Sequence, residues 1–551
     1  MRIVSFLVAL FISNTLQAQI NNWSKGATIT GGSHTTSISV DKNADIYFTG
    51  TFFETLQSED FYFDAPPNSY KTIWGKYKSD GTLIRASAFE DLNAALITCD
   101  QDDNFYIAGT YHGNVTFNGI MYPLLEGGFL AKYDNQGSPQ WIRFVKGELY
   151  SGFESIKVDS ENNVYVYGNF SGQVIIGDTA VDGLSELRST AVLAKYDPSG
   201  NFLWARSYVP TAGDFKYSSS ESIQLDEKDN VYVTGGLVGT LTVDSTTIAG
   251  ETVTIFIHKL DKNGNSKWLT NLGAGHISFY RDLSAIHDDA FYYVHEFDDD
   301  STNINGEVYL GDQTRTTLIK CDTSGIVQWS KLLALSIRDV GYILSFDVET
   351  DHAGNIIVAG SYSGEVNFID TTFSNHGDLD PFILKFDRDG NLIESWSEGY
   401  ESDEVIFSIA FDSCGNYYLG GMYRDSTAIG GIFLKNTSER LSYFITRIAT
   451  NNECDLVLGV DKQSSGMSDI MIFPNPAYNN ESAQISIGEA MSGTINISLK
   501  DVMGNKVHEQ TAFYNNDLHL KIATDNLASG TYFVEISDEK KIQVKKLVVV
   551  K

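Results

Sequence analysis

The chain repeats itself, and the repeat decides what it can fold into. An Asp is followed by three turn-prone residues, an Asn, and an apolar run that ends in Gly nine positions after the Asp. The unit reads Asp159-Ser-Glu-Asn-Asn163-Val-Tyr-Val-Tyr-Gly168 in one copy and Asp226-Glu-Lys-Asp-Asn230-Val-Tyr-Val-Thr-Gly235 in the next. Further copies run Asp41 to Gly50, Asp100 to Gly109, Asp351 to Gly360 and Asp412 to Gly421, and the degenerate stretch Ile286 to Val294 fills the remaining gap. These seven copies recur about every 62 residues, a spacing that belongs to stacked or radially arranged units.

Between successive copies lies a second motif, Lys-x-Asp-x-x-Gly-x-x-x-Trp. It appears as Lys132/Asp134/Gly137/Trp141, Lys195/Asp197/Gly200/Trp204, Lys259/Asp261/Gly264/Trp268 and Lys320/Asp322/Gly325/Trp329. Lys385/Asp387/Gly390 reaches its Trp396 two residues late, and the first repeat has Lys76 and Gly81 but Arg85 in place of Trp. Asp and Asn bond their own backbone at turns and Gly admits positive φ, so each motif marks a hairpin and each repeat four strands. Four antiparallel strands in each of seven units predict an all-β fold: a seven-bladed β-propeller whose ring leaves only short strand edges. The seventh repeat supplies three strands, ending near Arg447-Ile448. Asn22-Trp23-Ser24-Lys25-Gly26, ahead of the first repeat, resembles Trp141 to Gly147, so the Trp23 strand is expected to complete the seventh blade and close the ring. These units resemble the SBBP-type propeller repeats of secreted bacterial proteins, over residues 20–450. That resemblance implies a fold and no activity, since propellers host many functions.

Both ends read as addresses. Arg2, the apolar run Ile3 to Ile12 and the stretch to Leu16-Gln17-Ala18 predict a signal peptide at 1–18, cut between Ala18 and Gln19. The apolar run is too short to span a bilayer, which takes about 20 residues, and no later segment is long enough, so no transmembrane span is expected. The propeller is assigned to 19–455 and a polar linker to 456–468. Residues 469–551 alternate between Gly and Asn turns as a small Ig-like sandwich would. This last module resembles the type A C-terminal sorting domain of the type IX secretion system of Bacteroidetes. The resemblance rests on Pro474-Asn475-Pro476, the Asp501-x-x-Gly504 turn, the Leu527-x-x-Gly530-x-Tyr532 box and a basic end reaching Lys551. It implies Sec export, handling by the type IX machinery, removal by a sortase-like protease, and a secreted or surface-displayed product.

The sequence carries few signs of chemistry. With 39 Lys+Arg against 71 Asp+Glu the chain carries −32, which is incompatible with coating nucleic acid. The repeated Asp residues read as turn caps rather than Ca²⁺ ligands, because no bidentate acid follows at loop spacing. Glu296-Phe-Asp298-Asp299-Asp300 reads as a solvated loop. The Trp residues keep a fixed distance from the turn Gly and read as outer-strand packing, with Trp74 out of register. The motif Lys, alternating with apolar residues, is expected along a blade edge, since an unpaired buried charge is prohibitive. No His-Glu-x-x-His or Gly-x-Ser-x-Gly element occurs, so no catalytic, metal or cofactor residues are assigned. Cys99 and Cys321 fall in strands, whereas Cys414 lies in the first turn of the seventh repeat and Cys454 just after its third strand, and these two are expected to form a disulfide. The reading is an exported binding or scaffold protein whose partner is an extracellular glycan or protein, met on the variable connections between hairpins and blades. The alternative is an extracellular hydrolase or lyase with its acids on those same connections.

Overall fold

The computed structural model describes residues 23–448 and 470–550, leaving out short internal stretches of which 275–285 is the longest. The chain forms two compact units, Met1–Cys454 and Asp455–Lys551. Strands make up both, and no helix occurs among the described residues.

In the first unit the strands of each repeat pair as an antiparallel meander. The third repeat is typical: Ser151–Val158, Val164–Phe170, Thr190–Tyr196 and Phe202–Tyr208 lie side by side in chain order. The second strand reads as an unbroken apolar run because both of its faces are covered, and nearly every residue from Val164 to Phe170 is buried. The Asp before it builds the turn. Asp159 N donates to Asn163 O at 2.9 Å, Asn162 N donates to Asp159 O at 3.0 Å, and the Asp159 carboxylate accepts the N–H groups of Glu161 and Asn163. Asn162 takes φ 63°, giving a type I turn closed by a G1 bulge. The second motif repeats the geometry, with Gly137, Gly200, Gly264, Gly325 and Gly390 in the positive-φ position.

The first-motif Gly serves a different purpose. Opposite Gly168 the register slips between Phe153 and Ser155, and a Cβ at 168 would collide with the Gly152 carbonyl. Gly109, Gly235 and Gly421 face equivalent bulges in the second, fourth and seventh repeats. The bulge bends the first strand of the repeat. Its Ser155 hydroxyl accepts the Ile223 N–H of the next repeat at 3.1 Å.

The apolar core is divided among the interfaces between successive repeats. One cluster joins Tyr106, Leu130 and Val145 to Phe153, Val166 and Val192, and a comparable one joins Phe48, Phe52 and Ile73 to Tyr418, Tyr443 and Ile445. The strand Trp23–Ile29 pairs with Ser442–Ile448, placing Trp23 opposite Arg447 just as Trp204 lies opposite Lys195. Its far end pairs with Thr55–Ser58 of the first repeat. This β-propeller therefore joins its first strand to its last repeat.

The connections between second and third strands are less free than loops. In the third repeat Val174–Ile176 and Thr179–Val181 form a ribbon whose Ile176 pairs with Val145, on the outer strand of the preceding repeat. Thr55–Ser58 and the segment around Phe368 do the same for their neighbours.

The second unit is a sandwich of two sheets. Three strands, Ile470–Phe473, Ala483–Ile487 and Leu518–Ile522, form one sheet; Gly493–Lys500, Lys506–Tyr514, Gly530–Ser537, Ile542–Val550 and the short Ala477–Tyr478 form the other. Alternate residues Ile495, Ile497 and Leu499 meet Val534, Ile536, Leu547 and Val549 in its core.

Candidate functional site

The two motifs meet in space. Lys195 is buried in the third strand of its repeat and sits 3.0 Å from Asp159, the turn residue 36 positions earlier. It lies directly opposite Tyr165, with its ammonium 4.6 Å from the ring centroid. Lys76–Asp41, Lys132–Asp100 and Lys385–Asp351 repeat the pair at 3.1, 3.1 and 2.9 Å. The expectation of a blade-edge Lys is thus corrected. Asp caps the turn with one carboxylate oxygen and receives Lys with the other, so the buried charge has a partner. Burial works against the Asp159 charge, but bonds from Asn163 and Lys195 outweigh it and hold its pKa below the usual carboxylate value. At Lys259 the distance to Asp226 is 3.6 Å, and burial prevails there, lowering the Lys pKa.

The Trp of each repeat reaches into the next. Trp141, Trp204 and Trp268 stack against Gly200, Gly264 and Gly325, where no Cβ could fit without moving the ring. Their indole N–H groups donate to the carbonyls of Pro198, Lys262 and Thr323 at 3.1, 3.4 and 3.1 Å. Lys132, Lys195 and Lys259 donate to those same carbonyls. Trp23 obeys the same rule against Gly81 and the Ser79 carbonyl. In the seventh repeat Arg447 takes the Lys position and donates to Tyr418, whose hydroxyl donates to Asp412.

The first repeat breaks this rule and compensates. Where Trp would stand on the outer strand it has Arg85, and two residues before Lys76 it has Trp74, against Leu130, Leu193, Ile257 and Leu318 at that position in the following four repeats. Trp74 covers Gly137 from the neighbouring strand. The register irregularity noted in the sequence is this substitution. It leaves a cleft of about 460 Å³ between the first and second repeats on the turn side. Lys76, Asp45, Asp103, Arg85, Trp74 and Gln136 are among the residues that line it. Arg85 donates to the Gln136 carbonyl and lies 6.0 Å from the Trp74 ring. Lys76 is held by Asp41, Asp45 and the Tyr47 hydroxyl. Burial lifts the Asp45 pKa despite its contact with Lys76.

The motif partnership was missed in the sequence, although its signal was present. Tyr six residues after the Asp recurs as Tyr47, Tyr106, Tyr165, Tyr232 and Tyr418, and Tyr292 holds the same place in the degenerate repeat. The cleft lies on the turn side, away from the variable connections to which recognition had been assigned.

The other singled-out residues are dispersed. Cys414 is disulfide-bonded while Cys99 and Cys321 are free; Cys454 lies outside the described residues. So do Ala18, Gln19, Pro474, Asn475, Pro476, Gly504, Lys551 and the Asp298 to Asp300 run. Gly530 begins a strand opposite Val549, and buried Tyr532 donates to the Ala528 carbonyl at 3.0 Å. Among the described residues no group of His, Cys, Asp and Glu is arranged to hold a metal ion, and no helix is long and apolar enough to cross a membrane.

Residues 471–550 match the family profile described as a secretion system C-terminal sorting domain. The C-terminal unit is such a sorting domain. Its presence marks the chain for type IX secretion to the cell surface or extracellular space. The chain is also similar to an uncharacterized WD repeat-containing protein of Acanthamoeba polyphaga mimivirus, 22% identical over 523 residues. That match covers 76% of this chain and 37% of the viral protein, so the chain spans little more than a third of that relative. Among solved structures it is similar to the Dos1 propeller, with a TM-score of 0.37 and 8% identity over 78% of this chain and 95% of that one. The WD40 domain of Neurospora crassa Pan2 gives a TM-score of 0.38 and 10% identity, over 76% and 90%.

Proposed function

We propose that this exported propeller is a binding protein, displayed or released after secretion, and that it binds through the cleft between its first and second repeats. The observation that carries the reading is the paired exchange at Trp74 and Arg85. In the next four repeats the outer-strand Trp lies over the interface with its neighbour, whereas here the ring is moved to the adjacent strand and a polar cleft opens beside it. A repeat that departs from its own rule without losing its fold is the place to look for function. In this reading the signal peptide is cut between Ala18 and Gln19. The seven repeats form seven blades sealed by the Trp23 strand, and Cys414 pairs with Cys454 to tie down the last of them. The motifs Pro474-Asn475-Pro476, Gly504, Gly530-x-Tyr532 and Lys551 engage the type IX machinery.

The test uses the mature secreted protein on an array of extracellular glycans and proteins, beside a W74L/R85W variant that restores the arrangement of the other repeats. Retention of a ligand by the native protein, lost in the folded variant, is the expected result. Equal retention by both overturns the cleft as the binding site. Release of soluble products from an arrayed polysaccharide or protein points instead to the rival reading, an extracellular hydrolase or lyase.

A further inference from the structure

We infer that the ligand of this cleft is a neutral saccharide, gripped by planar polar side chains; the inference rests on the binding role proposed above. Charge is the first consideration. Asp41, Asp45 and Asp103 are matched by Lys76, Arg85 and Lys42, and most of these groups are already engaged. Lys76 is committed to Asp41 and Asp45, and Lys42 lies 3.3 Å from Asp103. A polyanion would find only Arg85 unpaired with a carboxylate. A cation would find only what remains of Asp103. Neither ligand would repay the cost of stripping water from its own charge.

Hydrogen-bonding capacity points the same way. One carboxylate oxygen of Asp103, Oδ1, is buried without a partner among the described residues, while Oδ2 accepts from Asn43 and faces Lys42. The Asn135 carbonyl holds the place that Pro198, Lys262 and Thr323 hold in the next three repeats, and no donor among the described residues reaches it. Such acceptors ask for donors. Arg85, exposed at the cleft, uses one N–H on the Gln136 carbonyl and has others to offer. A ligand must therefore donate and accept over short distances while carrying no net charge, as the vicinal hydroxyls of a sugar do. Carboxylate, amide and guanidinium groups are flat and present paired atoms to such hydroxyls. Exposed Ile84 supplies apolar surface for the C–H face of the ring, above the buried Trp74. The volume of about 460 Å³ lies within the range of small-molecule sites.

The test is calorimetric titration of the full mature protein with neutral hexasaccharides (gluco-, xylo- and manno-oligomers), beside oligogalacturonate and hexalysine as charged probes. At least one neutral oligomer should bind, and D103N, which keeps a residue type tolerant of positive φ, should weaken it about five- to tenfold. Q136A and the W74L/R85W swap, checked for folding by circular dichroism, should weaken and abolish it respectively. Tightest binding by either charged probe, or binding of an arrayed protein while every neutral glycan fails, overturns the ligand class and leaves the binding role standing. A neutral sugar bound equally by native protein and swap overturns both.

Discussion

Replacing Lys195 with Met tests whether the two repeat motifs are coupled through a buried charge pair. The side chains of Lys195 and Asp159 are 5% and 0% exposed and 3.0 Å apart, so Met would fill the Lys volume and leave a carboxylate enclosed without its cation. Removing one partner from a buried pair costs about 3–5 kcal/mol. Asp159 would keep bonds from Asn163, from two backbone N–H groups and from the Tyr165 hydroxyl, which argues for the lower end, ~3 kcal/mol. Lys259, 3.6 Å from Asp226 with both side chains more exposed, should cost less, and Lys320 least. The fifth repeat has Ile286 in the Asp position, so Lys320 keeps only the next-repeat carbonyl, that of Arg388, which its counterparts find at Pro198, Lys262 and Thr323. Unfolding entropy near 2.1 cal/mol/K per residue makes 3 kcal/mol worth only about 3–4 °C in a unit of this size. Urea denaturation, read as a shift of midpoint at constant slope, is the sharper assay. The expected order of loss is K195M, then K259M, then K320M. An equal loss at all three positions would refute the pairing argument, because the carboxylate partner is close and buried at Lys195, farther and more exposed at Lys259, and replaced by Ile286 at Lys320.

Four further outcomes follow from the same contacts. The folded pKa values of Asp159, Asp226 and Asp351 lie below the ordinary 3.8, so the stability they contribute is complete above that value and is lost as pH falls through the lowered values. Stability measured from pH 7 downward should hold until about pH 4 and then decline, and K195M should flatten part of that decline. G119A, where φ is 75° and no atom lies near the new methyl group, should cost about 1 kcal/mol, while G200A, whose Cβ would press on the Trp141 ring, should cost ~2–3 kcal/mol. Peptide mapping without reduction should recover Cys414 linked to Cys454 with Cys99 and Cys321 alkylatable, and C414S should lose roughly 3–4 kcal/mol. W23A removes the bond to the Ser79 carbonyl and the cover over Gly81, and should destabilise by about 3 kcal/mol; a chain that lacks residues 23–29 should instead aggregate through the bared edge of Ser442–Ile448, seen by light scattering.

The fold was legible because its information is local and repeated. Asp, Asn and Gly at fixed offsets specify hairpin turns, and the runs between them are too apolar to be anything but covered strands. What stayed hidden was contact across strands. The Lys motif follows its Asp by 32 to 36 residues in the repeats that carry the pair, through connections of unequal length, so no fixed offset joins them. Read on its strand alone, Lys195 alternates with apolar neighbours and resembles a solvent-facing position. Its burial is allowed only by a carboxylate that arrives from a turn in the preceding hairpin. The recurring Tyr, opposite the Lys in the pairing register, was the available clue. The cleft was hidden for a related reason: the loss of Trp at 85 and its gain at 74 look like two irregularities until the strands are paired.

The first and fifth repeats depart furthest from the pattern, and they differ in kind. The fifth gives up Asp, Asn and Gly together, with Ile286, Ala290 and His295 in their places, and its Lys320 loses the carboxylate while keeping the next-repeat carbonyl. Those changes subtract contacts. The first repeat keeps the whole charged node, with Lys76 held by two carboxylates and Tyr47, and moves one aromatic ring by one strand. The ring still covers the neighbouring Gly, so the interface remains supported while the one carbonyl that the indole N–H and the Lys would otherwise share, that of Asn135, is left for something else. A purely structural drift would have no reason to preserve the cover and release the acceptor at once. That pairing of retained packing with a vacated hydrogen bond is the ground on which the cleft is proposed as a binding site.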